Sequence, residues 1–208
     1  MKILIADDHS VVRKGLRSIL VDSYPHAQIE EVGDAMELIN KVAKEEWTVI
    51  ISDISMPGRS GVDAIKQVKE IAPKTPMLML SVHAPEQYAV RCIKAGASGY
   101  LTKESAPEEL VKAIEHILTG KRYITPDIAE MLADAYGEDI DKSPHELLSD
   151  REFEVLKLIA AGVSITEVAE QLMLSVNTVS TYRARILEKM HMHTNADMIK
   201  YAIKHNII

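Results

Sequence analysis

Over its first 120 residues the chain alternates short, almost continuously apolar segments with longer stretches of helical periodicity, and this rhythm constrains the fold more than any other feature. Strand segments are read at residues 1–6, 29–32, 49–52, 77–81 and 99–101. Runs such as Val49-Ile50-Ile51 and Met77-Leu78-Met79-Leu80 lack the apolar–polar alternation of a half-exposed strand, which predicts a parallel sheet buried on both faces. The result is a doubly wound α/β domain of five βα units, (βα)5, over residues 1–120. Two of its helices carry explicit start signals. Asp34 with Glu37, and Ser105 with Glu108, have the spacing at which a side chain caps the first turn and an acid answers it. Leu110, Ala113, Ile114 and Ile117 then recur at helical spacing.

After Gly120 the strand pattern stops. Residues 121–145 read as a linker, with acidic, proline-bearing sequence such as Gly137-Glu138-Asp139-Ile140-Asp141-Lys142-Ser143-Pro144, although 126–136 keep a helical period that would extend or brace the first domain. Residues 146–208 form an all-α domain of four short helices, started by Ser149 with Glu152, Ser164 with Glu167, Ser175, and Thr194 with Asp197. Gly162 is placed to close the first of them.

With 47% hydrophobic and 26% charged residues, both modules should fold. No apolar run approaches the roughly 18 to 20 residues of a membrane helix, and the N-terminus enters a strand without a signal-peptide pattern, so the expected location is the cytoplasm. The single cysteine, Cys92, excludes an intramolecular disulfide and is read as a packing residue. A net charge of −7 does not advertise nucleic-acid binding, which must then rest on local charge.

Ligands of open parallel sheets sit at the carboxyl ends of the strands. There the sequence delivers Asp7 and Asp8, Asp53, Ser81 and Lys103, from four separate strands. Each carboxylate alone could simply cap the following helix. Three together repel one another unless a cation joins them. Oxygen donors without a cysteine or histidine partner favour Mg²⁺, and His9 is read as a surface or helix-start residue. In such a site the metal and Lys103 offset charge on a transferring phosphoryl group, and Asp53 is the nucleophile.

The strings Ala6-Asp7-Asp8-His9, Ser52-Asp53-Ile54-Ser55-Met56-Pro57-Gly58, Ser81-Val82-His83-Ala84 and Gly99-Tyr100-Leu101-Thr102-Lys103 resemble the receiver signature of NarL/FixJ-type two-component response regulators. The resemblance covers residues 1 to about 120 and implies a sheet of strand order 2-1-3-4-5. It implies that Asp53 accepts phosphate from a sensor histidine kinase. Asp8 and Asp53 would hold Mg²⁺ with the main-chain carbonyl of Ser55, and Asp7 would act directly or through water. It further implies a switch in which the Ser81 hydroxyl turns toward the phosphate and Tyr100 changes rotamer; without the resemblance Tyr100 is a half-buried strand residue. Ser55 and His83 would flank the path of the hydrolytic water and tune the lifetime of the phosphate.

Residues 148–190 resemble the LuxR-type helix-turn-helix, through Leu148-Ser149-Asp150-Arg151-Glu152-Phe153-Glu154-Val155-Leu156, Gly162-Val163-Ser164-Ile165-Thr166-Glu167-Val168-Ala169 and Ser175-Val176-Asn177-Thr178-Val179. Ala169, Leu172, Leu174, Val179 and Ile186 are expected in its small core. The second helix of the motif, residues 176–190, would enter the major groove of double-stranded DNA. Between 177 and 208 five Lys and Arg stand against two acids, a local charge of +3 on a chain of −7. Ser180, Thr181 and Ala184 are expected at bases, and Asn177 among the exposed positions beside them. Thr178, Tyr182, Arg183, Arg185 and Lys189 are expected at phosphates or the groove edge. Ser180 and Tyr182 depart from the family's usual Lys and His, and Ser180-Thr181-Tyr182-Arg183 resembles the BvgA/EvgA branch. The family implies a homodimer on two half-sites, paired through residues 195–204, and leaves RNA polymerase open as a further partner.

The reading is a phosphorylation-controlled transcription regulator, with chemistry limited to self-phosphorylation and autodephosphorylation at Asp53. A free-standing aspartyl phosphatase is opposed by the helix-turn-helix. A module that has lost phosphorylation is opposed by the intact set Asp8, Asp53, Ser81 and Lys103.

Overall fold

The computed structural model describes residues 1–56, 61–82, 85–137, 144–205 and 207–208, and divides into two compact units, Met1–Tyr136 and Gly137–Ile208. The first is built on strands β1 (Lys2–Ala6), β2 (Gln28–Val32), β3 (Val49–Asp53), β4 (Met77–Ser81) and β5 (Gly99–Thr102). All pairings are parallel, in the order β2-β1-β3-β4-β5. The register sets Ile5 beside Ile51, Ile51 beside Leu78, and Leu80 beside Leu101. These residues face a core with Leu16 and Leu20 of α1 (Ser10–Ser23) and Leu110, Ala113, Ile114 and Ile117 of α5 (Ala106–Leu118). Side chains alternate along a strand, so Leu4, Ile50, Met77 and Met79, also buried, point to the opposite face. That face is covered by α2 (Ala35–Lys44), α3 (Gly61–Ile71) and α4 (Pro85–Ala95), which adjoin one another in sequence order. Cys92 of α4 is fully buried there, as a packing residue should be.

Local signals explain several helix starts. Asp34 accepts from the Glu37 N–H at 2.8 Å and begins α2. Ser105 departs from expectation: its backbone is helical, and its hydroxyl donates to the Thr102 carbonyl instead of capping α5. Thr102, at the end of β5, bonds the same hydroxyl at 3.1 Å, and this strand-end partner competes successfully with the helix N-terminus. Gly61, the first residue of α3, has a structural reason to be glycine, because a Cβ there would overlap the main chain of Ile54, 2.6 Å from its Cα.

The segment expected to open the linker is part of the first unit. Tyr123 bridges Gly99 and donates its N–H to the Ser98 carbonyl at 2.8 Å, so the chain passes the edge of β5 before α6 (Pro126–Gly137).

The second unit contains a 3₁₀ turn at Pro144–Leu147 and helices α7 (Asp150–Ala160), α8 (Ile165–Gln171), α9 (Val176–Lys189) and α10 (Asn195–Lys204). Ser149, Ser164 and Thr194 form complete capping boxes with Glu152, Glu167 and Asp197, and Ser175 accepts from the Thr178 N–H. Gly162 ends α7 with φ +86°, and the neighbouring Val163 N–H returns to the Leu158 carbonyl. Phe153, Leu156, Val168, Ala169, Val179, Ile186, Met198 and Ala202 are buried in the core, whereas Leu172 and Leu174 are only partly so. Among the described residues no helix is long and apolar enough to cross a membrane.

Candidate functional site

Asp7, Asp8, Asp53, Ser81 and Lys103, the residues expected at the site, stand where their strands end. β1 gives way to Asp7, whose N–H still bonds Val32 of β2 at 3.2 Å, and to Asp8. Asp53 is itself the last residue of β3, one position further into the strand than the apolar run indicates, and pairs in register with Leu80. Ser81 closes β4, and Lys103 follows β5 with its N–H on the Ser81 carbonyl at 2.7 Å. The parallel order thereby brings residues separated by up to 96 positions, Asp7 to Lys103, onto one edge.

The Lys103 ammonium lies 2.6 Å from Asp7 Oδ2 and 2.7 Å from Asp53 Oδ2. Both carboxylates are almost fully buried, at 1% and 2% exposure. Asp53 Oδ1 accepts the Ser55 N–H at 3.1 Å. Burial pushes the Asp53 carboxyl above its ordinary value, and the charge of Asp7 adds to this, against the opposing hydrogen bond and charge of Lys103. For Lys103, burial disfavours the ammonium, but Asp53 and Asp7 outweigh it and raise the amine. One cation thus serves two buried anions, with Asp8 close by.

Oxygens of Asp7, Asp8 and Asp53 and a ring nitrogen of His9 all lie within 4.8 Å of one another, a spacing that a single metal ion can span. Asp7 Oδ2 is buried, and the ammonium of Lys103, which it shares with Asp53, is its close contact. Three carboxylates this close, two of them buried and sharing one ammonium, leave negative charge that a hard cation with oxygen ligands can offset, so the residues present fit one. His9 is two-thirds exposed, at 67%, and its Nδ1 sits 2.6 Å from Asp8 Oδ1. It occupies the residue before α1 without a side-chain cap, in keeping with a surface, helix-start position.

Of the remaining expected residues, Ser81 is fully buried and Tyr100, at 1% exposure, lies inside the unit rather than half-buried on its surface. Ser55 is exposed beside Asp53. His83 lies outside the described residues, as do Pro57 and Gly58. Arg13 escaped the sequence reading. From α1 its guanidinium donates to the Asp7 carbonyl at 2.6 Å, with Glu31 at 3.4 Å, and so fixes the turn that carries the acidic pair. A lone arginine on an amphipathic helix gives no signal of this kind.

In the second unit, α9 exposes Asn177, Ser180, Thr181, Ala184 and Arg185, while Thr178, Tyr182 and Arg183 are partly buried. Two of the expected phosphate contacts are engaged within the unit. Arg183 Nε donates to Asn195 Oδ1 at 2.6 Å. Lys189 Nζ lies 2.6 Å from Glu152, a carboxylate only 3% exposed. Burial alone would raise Glu152, but Lys189 and the Ser149 cap hold its carboxyl below the ordinary range. The sequence reading saw Glu152 only as a capping acid; its second partner, 37 residues away, has no local signature. On α10 Met198 and Ala202 pack inward, and Ile203 is 61% exposed.

Fold and site define a class: residues 3–115 match the response regulator receiver domain, and residues 146–202 match the LuxR family of bacterial regulatory proteins. The chain belongs to the response regulators that join these two modules. Among individual proteins it is 34% identical to the response regulator UvrY of Escherichia coli K12, over 100% of this chain and 95% of that one. It is equally 34% identical to the oxygen regulatory protein NreC of Staphylococcus carnosus, over 100% and 99%. Among solved structures, RcsB of Salmonella enterica serovar Typhimurium, bound to promoter rprA with the phosphomimetic BeF₃⁻, matches with TM-score 0.65 and 29% identity, over 97% and 98% of the two chains.

Proposed function

We propose that Asp53 accepts a phosphoryl group from a sensor histidine kinase and that this modification governs binding of promoter DNA by the second unit. The observation that supports it is the convergence of Asp7, Asp8 and Asp53 within 4.8 Å, with Lys103 at 2.6 and 2.7 Å from two of them. Asp7, Asp8 and Asp53, with the main-chain carbonyl of Ser55, would hold Mg²⁺, which supplies there the positive charge that offsets phosphoryl oxygens. Within the chain, an Asp53 carboxylate oxygen is the nucleophile and the phosphodonor carries away the leaving group. Lys103 holds the Asp53 carboxylate in place and is positioned to contact the phosphoryl group. The buried Ser81 hydroxyl and Tyr100 ring carry the change to the surface, and Ser55 and His83 set how long the phosphate lasts. The switch moves an equilibrium by its differential affinity for two states.

Residues 1–120 form the receiver, 121–145 the connection and 146–208 the DNA-binding domain. In the second unit α9 enters the major groove with Ser180, Thr181 and Ala184 toward bases, the exposed Asn177 beside them, and Thr178, Tyr182 and Arg185 toward the backbone. Arg183 and Lys189 reach phosphates only by releasing Asn195 and Glu152. Two copies pair on two half-sites, with the exposed Ile203 of α10 at their contact. The protein acts in the cytoplasm, where promoter DNA and RNA polymerase are found, and its chemistry is confined to its own aspartate.

Duplexes selected from a random pool should bind the protein more tightly after treatment with a small phosphodonor and Mg²⁺, by about tenfold or more. Asp53→Ala should show no such gain. Equal affinity of wild type with and without the donor, under conditions where Asp53 is phosphorylated, contradicts phosphate control of DNA binding.

A further inference from the structure

At the opposite edge of the sheet, where β3, β4 and β5 begin, the first unit contains a cleft of about 590 Å³. Its wall includes Thr48, Pro76 and Ser98, the residues preceding those three strands, and four cations: Lys69, Lys74, Lys121 and Arg122. Among the described residues no carboxylate lines it. This concentration of positive charge stands on a chain of net charge −7.

The bland explanation is that the cations complement helix C-termini, since α3, α4 and α5 all end here, at Ile71, Ala95 and Leu118. Each end is equivalent to about −0.5 charge, so three supply about −1.5 against +4 and leave a surplus of roughly +2.5. The surplus is held at some cost. Lys69 is partly buried, its amine pushed down by burial first and by the charge of Arg122 second, and its ammonium donates to the Thr75 carbonyl at 2.6 Å. Gly96 keeps the wall open beside it: a Cβ there would lie 3.1 Å from the Lys69 Cγ.

We infer that this cleft binds a compact, multiply charged phosphate compound of the pyrophosphate class, through Lys69, Lys74, Lys121 and Arg122. Two or more negative charges match the surplus, and the volume falls within the roughly 300–1,000 Å³ typical of small-molecule sites. The cleft is separated from Asp53 by the length of a five-residue strand, on the order of 16 Å, so the same ligand cannot occupy both.

The test is titration of the full chain with pyrophosphate, and in parallel with ADP, in chloride buffer containing EDTA, followed by calorimetry and amide NMR. Saturable 1:1 binding is expected for wild type and for Asp53→Ala, with shifts concentrated at residues 96–98 and 118–122. Lys69→Gln/Arg122→Gln should weaken it by about tenfold or more, the usual effect of losing charge-assisted contacts. The exposed pair Lys74→Gln/Lys121→Gln should do so too and decides the matter if the first variant is misfolded. ADP binding comparably to pyrophosphate identifies a nucleotide as source of the phosphates; pyrophosphate alone identifies the inorganic ion. No saturable binding, unchanged affinity in the Lys74/Lys121 variant, or shifts confined to α9 would overturn the inference, and none of these bears on phosphorylation of Asp53.

Discussion

At the scale of single residues the site is a conflict of charges held in place by the fold. Asp7 and Asp53 are buried side by side with one ammonium between them. The Asp53 carboxyl titrates above its ordinary value, chiefly through burial. A carboxyl raised on folding favours the folded state while it is protonated, and that contribution is lost as pH rises through the folded value. At neutral pH, without a divalent cation, ionised Asp53 therefore destabilises the first unit. Asp53→Asn should stabilise it by about 1–2 kcal/mol, a rise in Tm of several degrees, and the gap should narrow as the pH falls toward the raised value. Millimolar Mg²⁺ should raise the Tm of wild type and leave that of Asp53→Asn almost unchanged. Thermal melts in EDTA and in Mg²⁺ check both; a variant less stable than wild type in EDTA would show that the carboxylate is satisfied by Lys103 alone. The residues of this cluster were legible in the sequence because each ends an apolar run. Arg13 and the Glu152–Lys189 pair were not, because they act through contacts 6 and 37 positions away whose geometry only the folded chain supplies.

At the scale of elements, short-range side-chain hydrogen bonds decide where helices begin. Ser149, Ser164, Ser175 and Thr194 were all legible as caps, since the partner is the helix's own N–H two or three residues on and nothing nearby competes. Ser105 obeyed the same pattern in sequence and not in structure, because Thr102 at the end of β5 takes its hydroxyl. Ser149→Ala should cost the second unit about 1 kcal/mol, whereas Ser105→Ala should cost the first unit less than about 0.5 kcal/mol, as judged by urea unfolding of each. Equal losses would show that the Ser105 hydroxyl supports α5 after all. The strands were legible to within one or two residues, and the single position by which β3 was underestimated is Asp53 itself, a polar residue that terminates the apolar pattern but not the ladder. The helical period at 126–136 was visible, but its membership in the first unit depends on the backbone pairing of Tyr123 with Gly99, which no periodicity encodes.

At the scale of the whole molecule, two units that each hold more acidic than basic residues gather their charges locally for different work. The first gathers acids at one edge of a parallel sheet and cations at the other. The second presents a short, mostly polar helix face on a locally positive segment. Topology rather than any single residue makes the acidic edge, since the order β2-β1-β3-β4-β5 brings the ends of β1 and β3 together with that of β5 close enough for Lys103 to reach both aspartates. The account rests on capture of a phosphoryl group at that edge, and intact-protein mass spectrometry measures it directly. After incubation with a small phosphodonor and Mg²⁺, wild type should gain the mass of one phosphoryl group, localised by peptide mapping to Asp53, with no gain in EDTA or in Asp53→Asn. A wild-type chain that stays unmodified, or a phosphate that maps to another residue while Asp53 remains free, would contradict the account.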